Sequence, residues 1–292
     1  MHTSPSIFER IQAALTFFTR LPLGSPKVSA EAYRHVVPLW PLMGWLTGGL
    51  MAAIFALSRL AGLDAGVAVV LALAGRVMLT GALHEDGLAD FCDGFGGRDR
   101  SRTLEIMKDS HIGTYGVLGL VIYFLLISRL LTALVQGGMS PLMFIAVDAV
   151  CKFLSSTIIW FLPYVRREEE AKNKLIYAHT TVGEKLLSLV LGFLPIVLIL
   201  TLTPNPSPLI SNSSFLIPNS NPSPLISNSS FLIPNSDPSP LTLLLSFCAS
   251  ALCCAGLFAL MHRRLGGYTG DCCGATFLLT ELTFYFMLSC LL

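Results

Sequence analysis

Residues 115–135 read YGVLGLVIYFLLISRLLTALV. One charged side chain, Arg129, interrupts a run that is otherwise apolar, small or weakly polar. As a helix this run is about 30 Å long, the thickness of a bilayer's hydrocarbon core. Six further apolar runs lie at 36–60, 65–83, 141–163, 186–203, 241–260 and 275–292. The pattern predicts an all-α fold, a polytopic membrane helix bundle of about seven transmembrane spans. No soluble domain is expected, because the loops are too short to enclose a core of their own.

Composition agrees. Of 292 residues, 53% are hydrophobic and 13% charged, against roughly 25% charged in soluble domains. That balance excludes a disordered chain, a coiled coil and an ordinary nucleic-acid binder. The net charge of +1 leaves no global field to attract polyanions. Most of the eight cysteines lie in or beside apolar runs. No CxxC pair has a distant partner pair, so a zinc site is not expected. The N-terminus lacks a secretory pattern. Ile7, Phe8, Ile11, Leu15 and Phe18 recur at helical spacing, which predicts a helix on the membrane surface or against the bundle.

Loop charges set the orientation. Fifteen of the 19 Lys and Arg fall in the N-terminal segment, 84–114, 164–185 and 261–274. The alternate loops, 61–64, 136–140 and 204–240, hold none. Seven spans therefore put the N-terminus and every long charged loop on the cytoplasmic side. Arg59, Arg76, Arg129 and Lys152 fall within spans or at their ends; of these Arg76, Arg129 and Lys152 lie at membrane depth, joined by Asp148 and Glu281. Charges at such depth are expected to face the bundle interior.

Residues 205–220 read NPSPLISNSSFLIPNS and recur unchanged at 221–236. The frequent prolines break helix, and Ser and Asn favour turns. Residues 205–240 are read as a disordered tandem-repeat insert in a non-cytoplasmic loop. The rest of 1–292 is one membrane-embedded domain.

The acidic residues cluster. HEDGLADFCDGFGG occupies 84–97. If it continues the helix of the second span, Asp86, Asp90 and Asp93 share an arc about 60° wide. Like charges so placed repel, and a hard divalent cation such as Mg²⁺ would offset that. Asp99 or Ser101 is expected to cap a second helix running through Asp109, with Glu105 and Asp109 on one face. His84, His111 and His262 read as polar loop residues. RRLGGYTGDCCGA, 263–275, sets a basic pair and a Gly-rich turn before an acid. Its backbone can cradle phosphate, with Arg263, Thr269 and Gly270 as the contacts.

The block GALHEDGLADFCDGFGGRDRSRTLEIMKDSHIGTYGVLGL, 81–120, resembles the signature of the cobalamin synthase (adenosylcobinamide-GDP ribazoletransferase) family. TRLPL at 19–23, PLMGWLTG at 41–48 and GGYTGDCCGA at 266–275 are similar to segments of that family. In 148–156, DAVCKFLSS, Lys152 stands where a Ser-Arg pair is expected. The resemblance implies transfer from adenosylcobinamide-GDP to α-ribazole or its 5′-phosphate, with release of GMP. It implies Mg²⁺ on Asp86, Asp90 and Asp93, with Asp271 completing the shell. Arg98, Arg100 and Lys108 become phosphate contacts, and Asp109 or Glu105 the acceptor of the ribazole 5′-hydroxyl proton. It further implies a bacterial cytoplasmic (inner) membrane protein whose active site faces the cytoplasm. Its partners are then these small molecules and membrane lipid, with a homo-oligomer left open. Asp86–Ala89, DGLA, is also similar to the opening of the CDP-alcohol phosphotransferase motif, which gives an alternative enzyme. A transporter using Asp148, Lys152 and Glu281 is a third reading.

Overall fold

A computed structural model describes residues 5–23, 28–165, 177–178, 180–202 and 238–292. The described residues form helices and no strand; Tyr164 and Tyr268 make one isolated bridge.

Helix α1, Ile7–Phe18, is capped by the Ser6 hydroxyl, which accepts from the Glu9 amide. It buries Ala13, Ala14 and Phe18 against the bundle and leaves Ile7 and Phe8 exposed. Of the two placements expected for it, this is the packed one. Helix α2, Ala30–Arg34, is capped by Ser29 in the same way. A 3₁₀ turn, Val37–Leu39, leads into α3, Trp40–Leu60. Asp64 then accepts from the amides of Gly66 and Val67 and starts α4, Ala65–Thr80.

The acidic stretch departs from expectation here, because it does not continue α4. Gly81 and Ala82 both adopt left-handed backbone, with φ of 64° and 57°. The chain turns through 90° into α5, Leu83–Asp93. Gly81 adopts this conformation freely. Ala82 is strained there, at about 1–3 kcal/mol.

A 3₁₀ turn, Gly94–Gly96, follows α5, then α6, Arg100–Ile106, capped by Asp99. The remaining elements are α7 (Thr114–Gln136), α8 (Met143–Ser156), the single turn α9 (Ile158–Phe161), α10 (Val182–Leu202), α11 (Pro240–Leu265) and α12 (Gly270–Leu291). Among the described residues, six helical segments are long and apolar enough to cross a membrane, and there are seven when the bent pair of α4 and α5 is counted as one broken span. The protein is an integral membrane helix bundle, as its hydropathy predicts. Nearly all of the repeat insert lies outside the described residues. Helix α11 begins at Pro240, the last residue of that segment, capped by the Ser239 hydroxyl.

Four of the intramembrane charges face inward and pair. Arg76 donates to Glu281 and, at 2.8 Å, to the Tyr123 hydroxyl. Tyr123 in turn donates to Glu281 at 2.9 Å. Lys152 donates to Asp148 and, at 2.8 Å, to the Thr47 hydroxyl. Phe277 of α12 lies under both cations. Arg129 departs from expectation: it is exposed on the outer side of α7, where a long side chain carries its charge outward along the helix.

Candidate active site

Helix α5 packs against the beginnings of α12 and α7. Two glycines set the approach to α12. A Cβ on Gly87 would lie 2.8 Å from the Asp271 carbonyl oxygen, and one on Gly274 2.9 Å from that of His84. Any larger residue would push the helices apart. The contact brings Asp86 and Asp271, remote in sequence, to one cavity of about 130 Å³. Asp271 lies in the first turn of α12, where the helix dipole favours a carboxylate. Thr269, fully buried just before it, donates its hydroxyl to Asp271 Oδ2 at 3.3 Å. Gly270 also lines the cavity and leaves open space at its Cβ position.

The other expected metal ligands are placed differently. Asp90 is buried one turn along α5 from Asp86. Asp93 accepts from the amides of Gly113 at 2.7 Å and Gly116 at 2.8 Å. It therefore caps α7, whose own N-cap, Gly113, has no side chain to do so. Among the described residues, no three His, Cys, Asp or Glu side chains group closely enough to hold a metal ion. Asp86 and Asp271 still fit Mg²⁺. They offer hard oxygen atoms on a shared cavity, and that ion usually takes one or two carboxylates together with water and substrate phosphates.

Asp99, not Ser101, caps α6 by accepting from the Arg102 amide at 2.9 Å. The helix stops at Ile106, so Glu105 and Asp109 do not share a helical face. Glu105 pairs with Arg102 at 2.7 Å and Asp109 with His111 at 2.8 Å; all four are exposed and none lines the cavity. The His111 backbone amide and then its ring hold the Asp109 carboxyl below the usual carboxylate range, which weakens it as a proton acceptor.

Arg98, Arg100 and Lys108 are exposed around α6, and Arg263 is exposed in the last turn of α11. The two regions meet. Arg264 donates to the Gly97 carbonyl at 3.3 Å and lies over the Phe95 ring. Together they form one basic surface beside α5.

Several cavity residues escape sequence reasoning. Phe17, Phe18, Trp40, Tyr164 and Tyr177 form an aromatic wall from distant segments. The backbone of Tyr268 holds this wall by pairing with Pro163 at 2.9 Å and Val165 at 3.0 Å. Burial pushes the Tyr177 and Tyr268 hydroxyls up, so both stay protonated. His84 is corrected from loop to helix: it sits in α5, 2% exposed, with ring centroids 5.5 Å from Trp40 and 4.9 Å from Phe277.

Comparison with known proteins adds to this geometry. A family model described as cobalamin-5-phosphate synthase matches residues 10–289. The adenosylcobinamide-GDP ribazoletransferase of Shewanella amazonensis is 34% identical over 292 residues, covering 99% of this chain and 97% of that protein. The protein of the same description from Shewanella woodyi is 32% identical over 281 residues, 94% of this chain and 93% of its own. One from a Polaromonas species is 31% identical over 297 residues, with 93% of each chain covered. No solved structure matches the chain.

Proposed function

The chain belongs to the cobalamin-5-phosphate synthase family, and from that premise we propose where its reaction takes place. It is a membrane transferase of cobalamin biosynthesis that joins adenosylcobinamide-GDP to ribazole, releasing GMP. The CDP-alcohol and transporter alternatives are set aside with that assignment. The site is the cavity shared by Asp86 and Asp271. One observation carries this reading: Gly87 and Gly274 bring two carboxylates from separate helices to a single cavity.

Asp86 and Asp271 are the residues that would hold Mg²⁺, with Asp90 behind them on α5. Held there, the ion would supply positive charge against the diphosphate and the charge developing on departing GMP. The first amides of α12 and the basic surface of Arg98, Arg100, Lys108 and Arg263 hold the phosphates. The family's description supports a nucleophile other than the 5′ oxygen expected from the sequence, because a product that keeps a ribazole 5′-phosphate has that oxygen already bonded to phosphorus. Another ribose hydroxyl attacks the corrinoid-side phosphorus. A bond forms from its oxygen to that phosphorus, and the bond to the bridging oxygen of GMP breaks. Its proton passes to a cavity carboxylate, while Glu105 and Asp109 stay paired outside. The Lys and Arg side chains gathered at this end support a site facing the cytoplasm from the bacterial inner membrane.

The test is turnover of purified protein with adenosylcobinamide-GDP, α-ribazole 5′-phosphate and Mg²⁺. Asp86→Asn and Asp271→Asn should each lower kcat about 10²–10³-fold, with helical content unchanged. EDTA should abolish wild-type turnover. Near-normal rates in both variants would refute the site.

A further inference from the structure

The bend that carries Asp86 to the cavity is gripped from outside by another part of the chain. Helix α4 closes on itself at its end: the Gly81 amide donates to the Met78 carbonyl at 3.3 Å and the Ala82 amide to the Val77 carbonyl at 2.9 Å. The Leu79 carbonyl is among the last four of the helix, which have no partner within it. The Arg20 amide donates to it at 2.7 Å. The Arg20 side chain then runs across Gly81, where a Cβ would lie 2.7 Å from Arg20 Cγ and 3.1 Å from Cδ. Gly81 therefore serves twice, for its positive φ and for the space that Arg20 fills. Arg20 itself is exposed, so its stem covers the turn while its charge reaches water. Its approach is fixed from behind. Phe18 stacks on Trp40 with ring centroids 5.5 Å apart, and the Thr19 hydroxyl donates back to the Leu15 carbonyl at 2.6 Å.

We propose that Arg20 is a positioning residue for the transferase: it clamps the bend between α4 and α5 and thereby holds Asp86 at the cavity. The inference rests on the carboxylate-site reading and adds to it a residue that does not line the cavity. A strained residue such as Ala82 persists only where its surroundings over-determine it, and Arg20 grips Leu79 and Gly81 immediately before it. Ala82 in turn starts α5. Its carbonyl accepts from the Asp86 amide at 2.8 Å, so an opening of the turn passes to Asp86 through one hydrogen bond. On the other side of Asp86, Gly87 rests on the Asp271 backbone. Asp86 thus sits between a close helix contact and a clamped turn, and loosening the turn lets its carboxylate drift from Asp271. A misplacement of about 1 Å can cost a reaction about 10²-fold. Phe17 and Phe18, just before Arg20, line the cavity, so one stretch of chain both walls the site and holds its acidic helix. The clamp uses the amide and stem of Arg20 and not its charge, which separates it from a phosphate contact.

The experiment compares full-length Arg20→Ala, which removes the stem, with Arg20→Met, which keeps a stem and removes the charge. Steady-state turnover is measured with each substrate varied, and hydrogen exchange is followed at the amides of 83–87. Arg20→Ala should lower kcat about tenfold and leave KM for both substrates within about twofold. Exchange at 83–87 should quicken about tenfold while that of α8 is unchanged. Arg20→Met should restore both readouts to near wild type. In an Asp86→Asn background, Arg20→Ala should cause little further loss, because residues that act through one group are not additive. A raised KM in Arg20→Met would make Arg20 a substrate contact and overturn the clamp. Unchanged exchange at 83–87 in Arg20→Ala would overturn it too, as would a tenfold loss that multiplies in full with Asp86→Asn. Faster exchange with kcat unchanged would leave a turn without catalytic consequence and end the positioning role. Near-normal turnover in Asp86→Asn would refute the carboxylate site instead, and exchange at 83–87 would still decide whether Arg20 holds the bend.

Discussion

At the middle of the bundle, Arg76 faces Glu281 and Lys152 faces Asp148, with Tyr123 and Thr47 joining the two pairs. At the end of the bundle, Trp40 and His84 keep buried ring nitrogens that no described residue satisfies. Both regions bury polar groups in an apolar setting. The first closes its charges within the protein, and the second borders the cavity that Asp86 and Asp271 share. Substitutions in the first should therefore damage the fold, and those in the second should damage recognition or chemistry.

The largest effect belongs to the closed region. Glu281→Ala strands the Arg76 guanidinium, which should cost about 3–5 kcal/mol, read as a lowered Tm in detergent. Adding Arg76→Met should recover much of that loss. If the single variant were as stable as wild type, the contrast between the regions would fail. Next come Asp86→Asn and Asp271→Asn, with their expected loss of turnover at unchanged Tm. A matching fall in Tm would move these carboxylates into the structural class. Asp93→Asn tests an intermediate case. It weakens the cap on α7 and should cost about 1–2 kcal/mol of stability, with a smaller loss of turnover than Asp86→Asn. A loss as deep as that of Asp86→Asn, with Tm unmoved, would return Asp93 to the metal site. The smallest effect is expected from deleting one repeat, 221–236, which should leave kcat/KM within about twofold. A tenfold drop would tie the insert to the site.

The spans were legible because hydropathy is decisive in lipid. The run read at 141–163 contains α8 and α9, and residues 186–202 of the run at 186–203 lie in α10. That Arg76, Asp148, Lys152 and Glu281 turn inward was legible from the cost of charge in a membrane. Which of them pair was not, since that depends on how helices sit side by side. The break after α4 was hidden because Ala82 favours a helix in sequence and is held left-handed only by its surroundings. Asp93 looked like a third metal ligand because its helical register matches Asp86 and Asp90. Only the approach of α7 shows its carboxylate already engaged. The aromatic wall carries no local signal at all: Phe17, Trp40, Tyr164 and Tyr177 belong to segments with no common spacing.

The right-angle turn at Gly81 and Ala82 has one more consequence. By laying α5 across the starts of α7 and α12, it surrounds an acidic helix with the positive ends of two others. Those permanent backbone dipoles offset part of the repulsion among its carboxylates. On the proposed Mg²⁺ reading, a centre held in this way keeps its shape without its ion. Stripping the metal should therefore silence the enzyme without loosening it, and activity should return on adding the ion back, with no refolding step.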